Sequence, residues 1–145
     1  MPEKTFETRY NTAYQWQKKG SQGIIHVTNH PGLPVGTPGD SAHFSPEHLL
    51  LASAETCLAN YIFLIAEKSR LNIVDYQSAA EGELEQLADR GYQFKNITIR
   101  TKLTVADEST EKAEKVIDKA HHFCIISRSL NCYVHVIPEV IMANI

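Results

Sequence analysis

The sequence predicts an α+β fold of the kind with antiparallel sheets, a long central helix and a second helix, in the order ββ, α, ββ, α, β. Three observations carry that expectation. Two stretches place apolar residues at every second position and fold back at glycine-bearing turns, as hairpins do. Two others place apolar residues at helical spacing behind capping residues. A short apolar run follows the second of these. A chain of 145 residues fits one domain with one core, spanning 1–145.

Residues 6–16 carry bulky groups at Phe6, Tyr10, Tyr14 and Trp16, with Thr8 and Thr12 completing the same face, which predicts a strand. Lys18-Lys19-Gly20-Ser21 supplies a turn, and 23–27 reads as the returning strand. Residues 29–40 hold three prolines and three glycines, which argues against helix or central strand and predicts a loop. A loop of that length is either functional or a plain connector.

Ser45, Pro46 and Glu47 open the clearest helix. Ser45 suits the N-cap, Pro46 the first position, where its missing N–H costs nothing, and Glu47 the positive end of the dipole. The helix should run to about Arg70. Its apolar set, from Leu49 through Ala54, Cys57, Leu58 and Ile62 to Ile65, is nearly continuous, which predicts a helix covered on most sides.

A strand at 73–87 follows, with an inward face at Val74, Tyr76, Ser78, Ala80, Gly82 and Leu84. Residues 88–91 form a turn, and 92–105 return. Apolar positions change parity between Phe94 and Ile97, which predicts a β-bulge near Lys95-Asn96. Ser109 or Thr110 caps a second helix that carries Ala113, Val116, Ile117, Ala120 and Phe123 or Cys124 on one face. The last strand should run from Tyr133 to Ile137 and stop at Pro138.

Composition removes several functional classes. The formal net charge is −3 with acids and bases mixed, so no basic stripe points to nucleic acid. No run of about 18 apolar residues is evident, so no membrane span is expected. The polar start lacks the apolar segment of a secretory signal, and the expected location is cytoplasmic. In that compartment three cysteines are not read as a structural disulfide framework. Among the seven histidines, His121 and His122 are adjacent rather than at the spacing of a helical metal pair, and there is no Cys-x-x-Cys or His-Glu-x-x-His, so no metal is expected. There is no Gly-x-Ser-x-Gly elbow, no P-loop and no Rossmann pattern.

The thiols then carry the argument. Cys57 lies mid-helix, where a free cysteine often only packs. Cys124 follows His121 and His122 and precedes Arg128, and neighbouring cations lower a thiol pKa, whereas the C-terminal end of a helix opposes a thiolate. Cys132 reads as a packing residue on the final strand. Two cysteines that met could perform peroxide chemistry: one becomes a sulfenic acid and the other condenses with it to a disulfide. Whether they meet is not visible in the linear chain.

The run Ser45-Pro46-Glu47-His48-Leu49-Leu50-Leu51-Ala52 with Thr56-Cys57-Leu58 resembles the first signature of the OsmC/Ohr family (osmotically inducible protein C and the organic hydroperoxide resistance proteins). Cys124-Ile125-Ile126-Ser127-Arg128-Ser129-Leu130 resembles the second, with Ile125 where proline is usual. The resemblance covers nearly the whole chain. It implies an intertwined homodimer that reduces organic hydroperoxides or hydrogen peroxide with no metal or flavin cofactor, reset by an external dithiol. It also implies Cys57 as the peroxidatic thiol, Cys124 as the resolving thiol, and Glu47 as the carboxylate that steadies an arginine beside the reactive sulfur.

Two features place the chain in the broader OsmC-like branch rather than Ohr proper. The hairpin turn that carries this arginine in the Ohr branch holds Gln15, Gln17, Lys18 and Lys19 here, which leaves Arg9, Lys18 or Arg128 as candidate cations. Glu47 and Cys57 lie ten positions apart, about 15 Å along a straight helix, so only a break or a bridging residue would join them. Two functions remain: a two-cysteine hydroperoxide reductase, and a binding module with an apolar interface pocket and little turnover.

Overall fold

The computed structural model describes residues 7–106 and 110–143. Phe6 and Ser109, each assigned a role above, lie outside the described residues. The chain forms two compact units, Met1–Leu49 and Leu50–Ile145.

In the first unit, β1 (Ala13–Trp16), β2 (Gly23–His26) and β3 (Leu33–Val35) form an antiparallel sheet in that order. The first strand is shorter than predicted, because β2 offers only four partners, from His26 opposite Ala13 to Gly23 opposite Trp16. The hairpin turn lies where the sequence places it, with Lys18 and Gly20 at positive φ (60° and 52°) and a Gln17 N–H donating to Gln22 O. The predicted loop is corrected in part: its residues 33–35 are β3. Pro34 sits opposite Ile24 on an edge strand, where a missing ladder donor is tolerated.

Helix α1 (Pro46–Lys68) starts as predicted. Ser45 is fully buried, and its Oγ accepts the His48 N–H at 3.1 Å, which satisfies one of the helix's unpaired first-turn donors. The helix ends two residues short of Arg70, which takes φ 57° while the Leu71 N–H reaches back to Ala66 O, a left-handed C-terminal cap.

The second unit adds β4 (Ile73–Gln86), β5 (Tyr92–Ala106), α2 (Thr110–Phe123), α3 (Ile125–Ser129) and β6 (Tyr133–Ala143). The sheet order is β4-β5-β6. The bulge falls where parity predicts: Glu83 pairs Asn96 and Leu84 pairs Phe94, so Lys95 is the extra residue. A second irregularity between Ile73 and Asp75 turns Val74 outward, and Leu84 is also exposed, so neither belongs to the inward face assigned to them. Gly82 admits a close approach, since a Cβ there would lie 2.7 Å from Phe94 Cε1 and 3.0 Å from Leu51 Cδ2.

Three corrections concern the C-terminal strand. β6 continues through Pro138 to Ala143 and pairs parallel to β5, so this sheet is mixed rather than antiparallel. Pro138 is tolerated because β6 is an edge. Parallel neighbours need a crossover, and α2 with α3 supplies it. Cys132 precedes β6 instead of lying on it.

The core of this unit joins Ala54, Leu58, Ile62, Ile65 and Ala66 of α1 to the alternating Ile97, Ile99, Leu103 and Val105 of β5 and to Ala113, Val116, Ile117 and Ala120 of α2. The expectation that α1 is covered on most sides is corrected. Only those five α1 residues are buried, while Phe63 and Leu64 are 46% and 45% exposed. By length and composition α1 is also long and apolar enough to cross a membrane, contrary to the sequence reading. Its buried stripe packs in the core, and core helices of globular proteins meet the same criterion.

Candidate functional site

α2 does not run through Cys124, as the helical spacing suggested. It ends at Phe123, and Cys124 takes an extended conformation (φ −61°, ψ 111°) as the N-cap of α3. The Cys124 N–H closes the last turn on His121 O at 3.3 Å, and the Arg128 N–H opens α3 on Cys124 O at 3.0 Å. The thiol therefore stands at the start of a helix, not at its disfavoured end. Between those two bonds lie the N–H groups of Ile125 and Ile126, which have no partner within the helix.

Both N–H groups act on the sulfur of Cys57, which is half-buried on α1, and favour its thiolate. Cys124, wholly buried, adds its own thiol to the same contact. The two cysteines, 67 positions apart (124 − 57), thus come together as free thiols. Burial is the strongest influence on Cys57 and pushes its thiol up. The Ile126 N–H pulls it down, the Cys124 thiol raises it, and the Ile125 N–H lowers it again. The balance lies above the ordinary value, and the influences that set it include no cationic side chain among the described residues. On its other side the Cys124 sulfur accepts the Ser127 hydroxyl at 3.4 Å.

A sequence pattern of the family described as OsmC-like protein matches residues 38–139, and that span includes both thiols. The chain belongs to the OsmC-like family. No curated protein matches the sequence significantly. Among solved structures, an OsmC-like protein of unknown function from Vibrio cholerae superposes with a TM-score of 0.80 at 18% identity, covering 93% of this chain and 100% of its own. An organic hydroperoxide resistance protein OsmC from Legionella pneumophila gives 0.71 at 21% identity, over 93% and 99%. The organic hydroperoxide resistance protein of Bacillus subtilis gives 0.64 at 21%, over 91% and 97%. These likenesses show that the OsmC-like protein has the OsmC/Ohr fold.

Glu47 of the OsmC-like protein lies in the first turn of α1, and α1 is unbroken from Pro46 to Lys68. Of the two ways to join Glu47 to Cys57, only a bridging residue is therefore left. Among the described residues the buried Glu47 Oε2 has no hydrogen-bond partner, so it retains acceptor capacity for such a residue. Arg128 lines a groove of about 430 Å³ with His121, His122, Cys132 and Tyr133.

The sequence reading missed a polar cluster where α1 meets β4. Glu55 on α1 accepts the Ser78 hydroxyl from β4 at 2.5 Å. Burial pushes the neighbouring Tyr76 phenol up to about 12, with Ser78 opposing and the Glu55 charge supporting the shift. Phe63 packs edge-on against Tyr76 at 5.6 Å. Glu55, Thr56, Asn60, Phe63, Tyr76 and Ser78 line a groove of about 440 Å³. The alternation that placed Tyr76 and Ser78 on one face of β4 was the available signal, but nothing in the linear chain put α1 over it.

Proposed function

We propose that this OsmC-like protein is a thiol peroxidase that reduces organic hydroperoxides or hydrogen peroxide. One observation carries the reading: Cys57 and Cys124 converge where the Ile125 and Ile126 N–H groups favour the Cys57 thiolate. The Cys57 thiolate attacks the distal peroxide oxygen, the O–O bond breaks, and the products are a sulfenic acid and an alcohol or water. The Cys124 sulfur then attacks Cys57, forming the disulfide and releasing water. An external dithiol reduces that disulfide by two exchange steps. The solved organic hydroperoxide resistance proteins that share the fold support this chemistry by analogy.

The same proposal covers partners and place. A second copy of the chain would cover the apolar side of α1 that carries Phe63 and Leu64, and a homodimer would sediment at twice the chain mass. The location is cytoplasmic. Arg9, Lys18 and Arg128 are the candidate cations for Cys57, with Glu47 steadying whichever acts. A second reading, a binding module with little turnover, is favoured by one observation: the Cys57 thiol is raised, which limits its thiolate.

Thiol counting separates the two. Purified protein is treated with one equivalent of cumene hydroperoxide, with Cys57→Ser and Cys124→Ser in parallel. Loss of two thiols and a Cys57–Cys124 disulfide by peptide mapping is expected. Retention of all thiols in the wild type would defeat the peroxidase reading. Thiol loss without that disulfide would remove Cys124 from the resolving role.

A further inference from the structure

Serine and threonine in a helix usually return their hydroxyl to a carbonyl three or four residues back. Three of the described residues do so: Ser53 to Leu50 O at 2.7 Å, Thr56 to Ala52 O at 2.7 Å, and Ser129 to Ile125 O at 2.8 Å. Ser127 departs from that habit. Its hydroxyl donates to the side-chain sulfur of Cys124, three residues back, at 3.4 Å. The Cys124 carbonyl is meanwhile bonded to the Arg128 N–H. The sulfur is otherwise wholly buried and faces Cys57.

We propose that Ser127 is a positioning residue for the resolving step, holding the Cys124 sulfur toward Cys57 and stabilising the negative charge it gains as its proton leaves. The proposal rests on the peroxidase reading and adds to it. In that step the Cys124 sulfur attacks the sulfenic sulfur of Cys57. The S–S bond forms, the S–O bond breaks, and the departing hydroxide combines with the proton given up by the Cys124 thiol to leave as water. The sulfenic sulfur is reduced and the thiol sulfur oxidised to the common disulfide level. A hydroxyl already directed at the attacking sulfur needs no rearrangement as charge develops there. Ser127 also lines the 430 Å³ groove, so its outer side is open and its replacement removes little core packing.

The competing fate of the sulfenic acid supplies the readout. If resolution is slow, a second peroxide oxidises Cys57 to sulfinic acid. Ser127→Ala and Ser127→Thr are compared with the wild type by rapid mixing with cumene hydroperoxide, acid quench and intact mass. Ser127→Ala is expected to form the sulfenic acid at the wild-type rate and the disulfide roughly three- to tenfold more slowly, the effect of losing one ordinary hydrogen bond. The sulfinic fraction rises, and Ser127→Thr restores resolution to within about twofold of the wild type. Wild-type resolution in Ser127→Ala, or a threonine variant as slow as the alanine one, overturns the proposal.

Oxidised glutathione provides a separate arm, because Cys124 resolves a Cys57–glutathione mixed disulfide by the same sulfur attack, with glutathione thiolate leaving. A Ser127 effect there, without any reaction with peroxide, would defeat the peroxidase reading and leave the role of Ser127 in disulfide formation standing. Equal rates for wild type and Ser127→Ala in this arm would defeat the role of Ser127.

Discussion

Replacing Ile125 by proline removes one backbone N–H from the Cys57 sulfur and leaves the rest of the site in place. The fold accepts the change on three counts. Ile125 is the first residue of α3, where proline is favoured. Cys124 before it already has the extended conformation that a following proline requires (φ −61°, ψ 111°). The Ile125 side chain is 42% exposed, so little packing is lost. A hydrogen bond to a charged group is worth about 1.5–3 kcal/mol. The Cys57 sulfur is only half-buried and keeps the Ile126 donor, so about 1 kcal/mol is the appropriate figure after solvent screening.

That loss of thiolate stabilisation raises the Cys57 pKa. The sign follows from the donor's preference for the thiolate: without it the thiol form gains, and the thiolate fraction at neutral pH falls roughly fivefold. The measurement is the pH profile of monobromobimane alkylation in a Cys124→Ala, Cys132→Ala background, where Cys57 is the last of the three cysteines. Ile125→Val, which keeps the N–H, should match the parent. A midpoint unchanged or lowered in Ile125→Pro would show that this N–H does not act on the sulfur.

Three further outcomes are expected. Tyr76 is raised from 10.0 to about 12 in the folded state, so its contribution to stability is complete below pH 10 and lost between about pH 10 and 12; two units are about 2.7 kcal/mol, cut to about 1 kcal/mol by the half-exposed ring, and Tyr76→Phe should lack that alkaline loss in urea unfolding. Ser45→Ala removes the cap from the His48 N–H and should cost about 1–2 kcal/mol in the same assay. Leu58→Ala empties a fully buried position in the core and should cost about 2–5 kcal/mol, toward the lower figure if the neighbours close around the shorter side chain.

The elements that the sequence placed well are those set by neighbours in the chain. Ser45, Pro46 and Glu47 act within one turn, so the start of α1 was legible to the residue. The parity change between Phe94 and Ile97 encodes the Lys95 bulge, because side chains alternate strictly along a strand. The elements placed poorly depend on edges. Pro34 and Pro138 read as breakers, yet both lie on edge strands, and edge position is a property of the sheet rather than of the residue.

By itself the sequence determined the α+β order, the capped apolar helix and two cysteine-bearing motifs of one family. Only the tertiary structure decided that Cys57 and Cys124 meet, because the β5–α2–α3–β6 crossover carries one to the other across 67 positions (124 − 57). It also decided how Cys124 is presented. The helical spacing of α2 would carry Cys124 onto a C-terminal turn, where a thiolate is disfavoured. Instead the chain breaks at Phe123, restarts at Ile125, and brings the Ile125 and Ile126 N–H groups to bear on the Cys57 thiol. Periodicity along a helix cannot show such a break, since its purpose lies in a residue on a different helix.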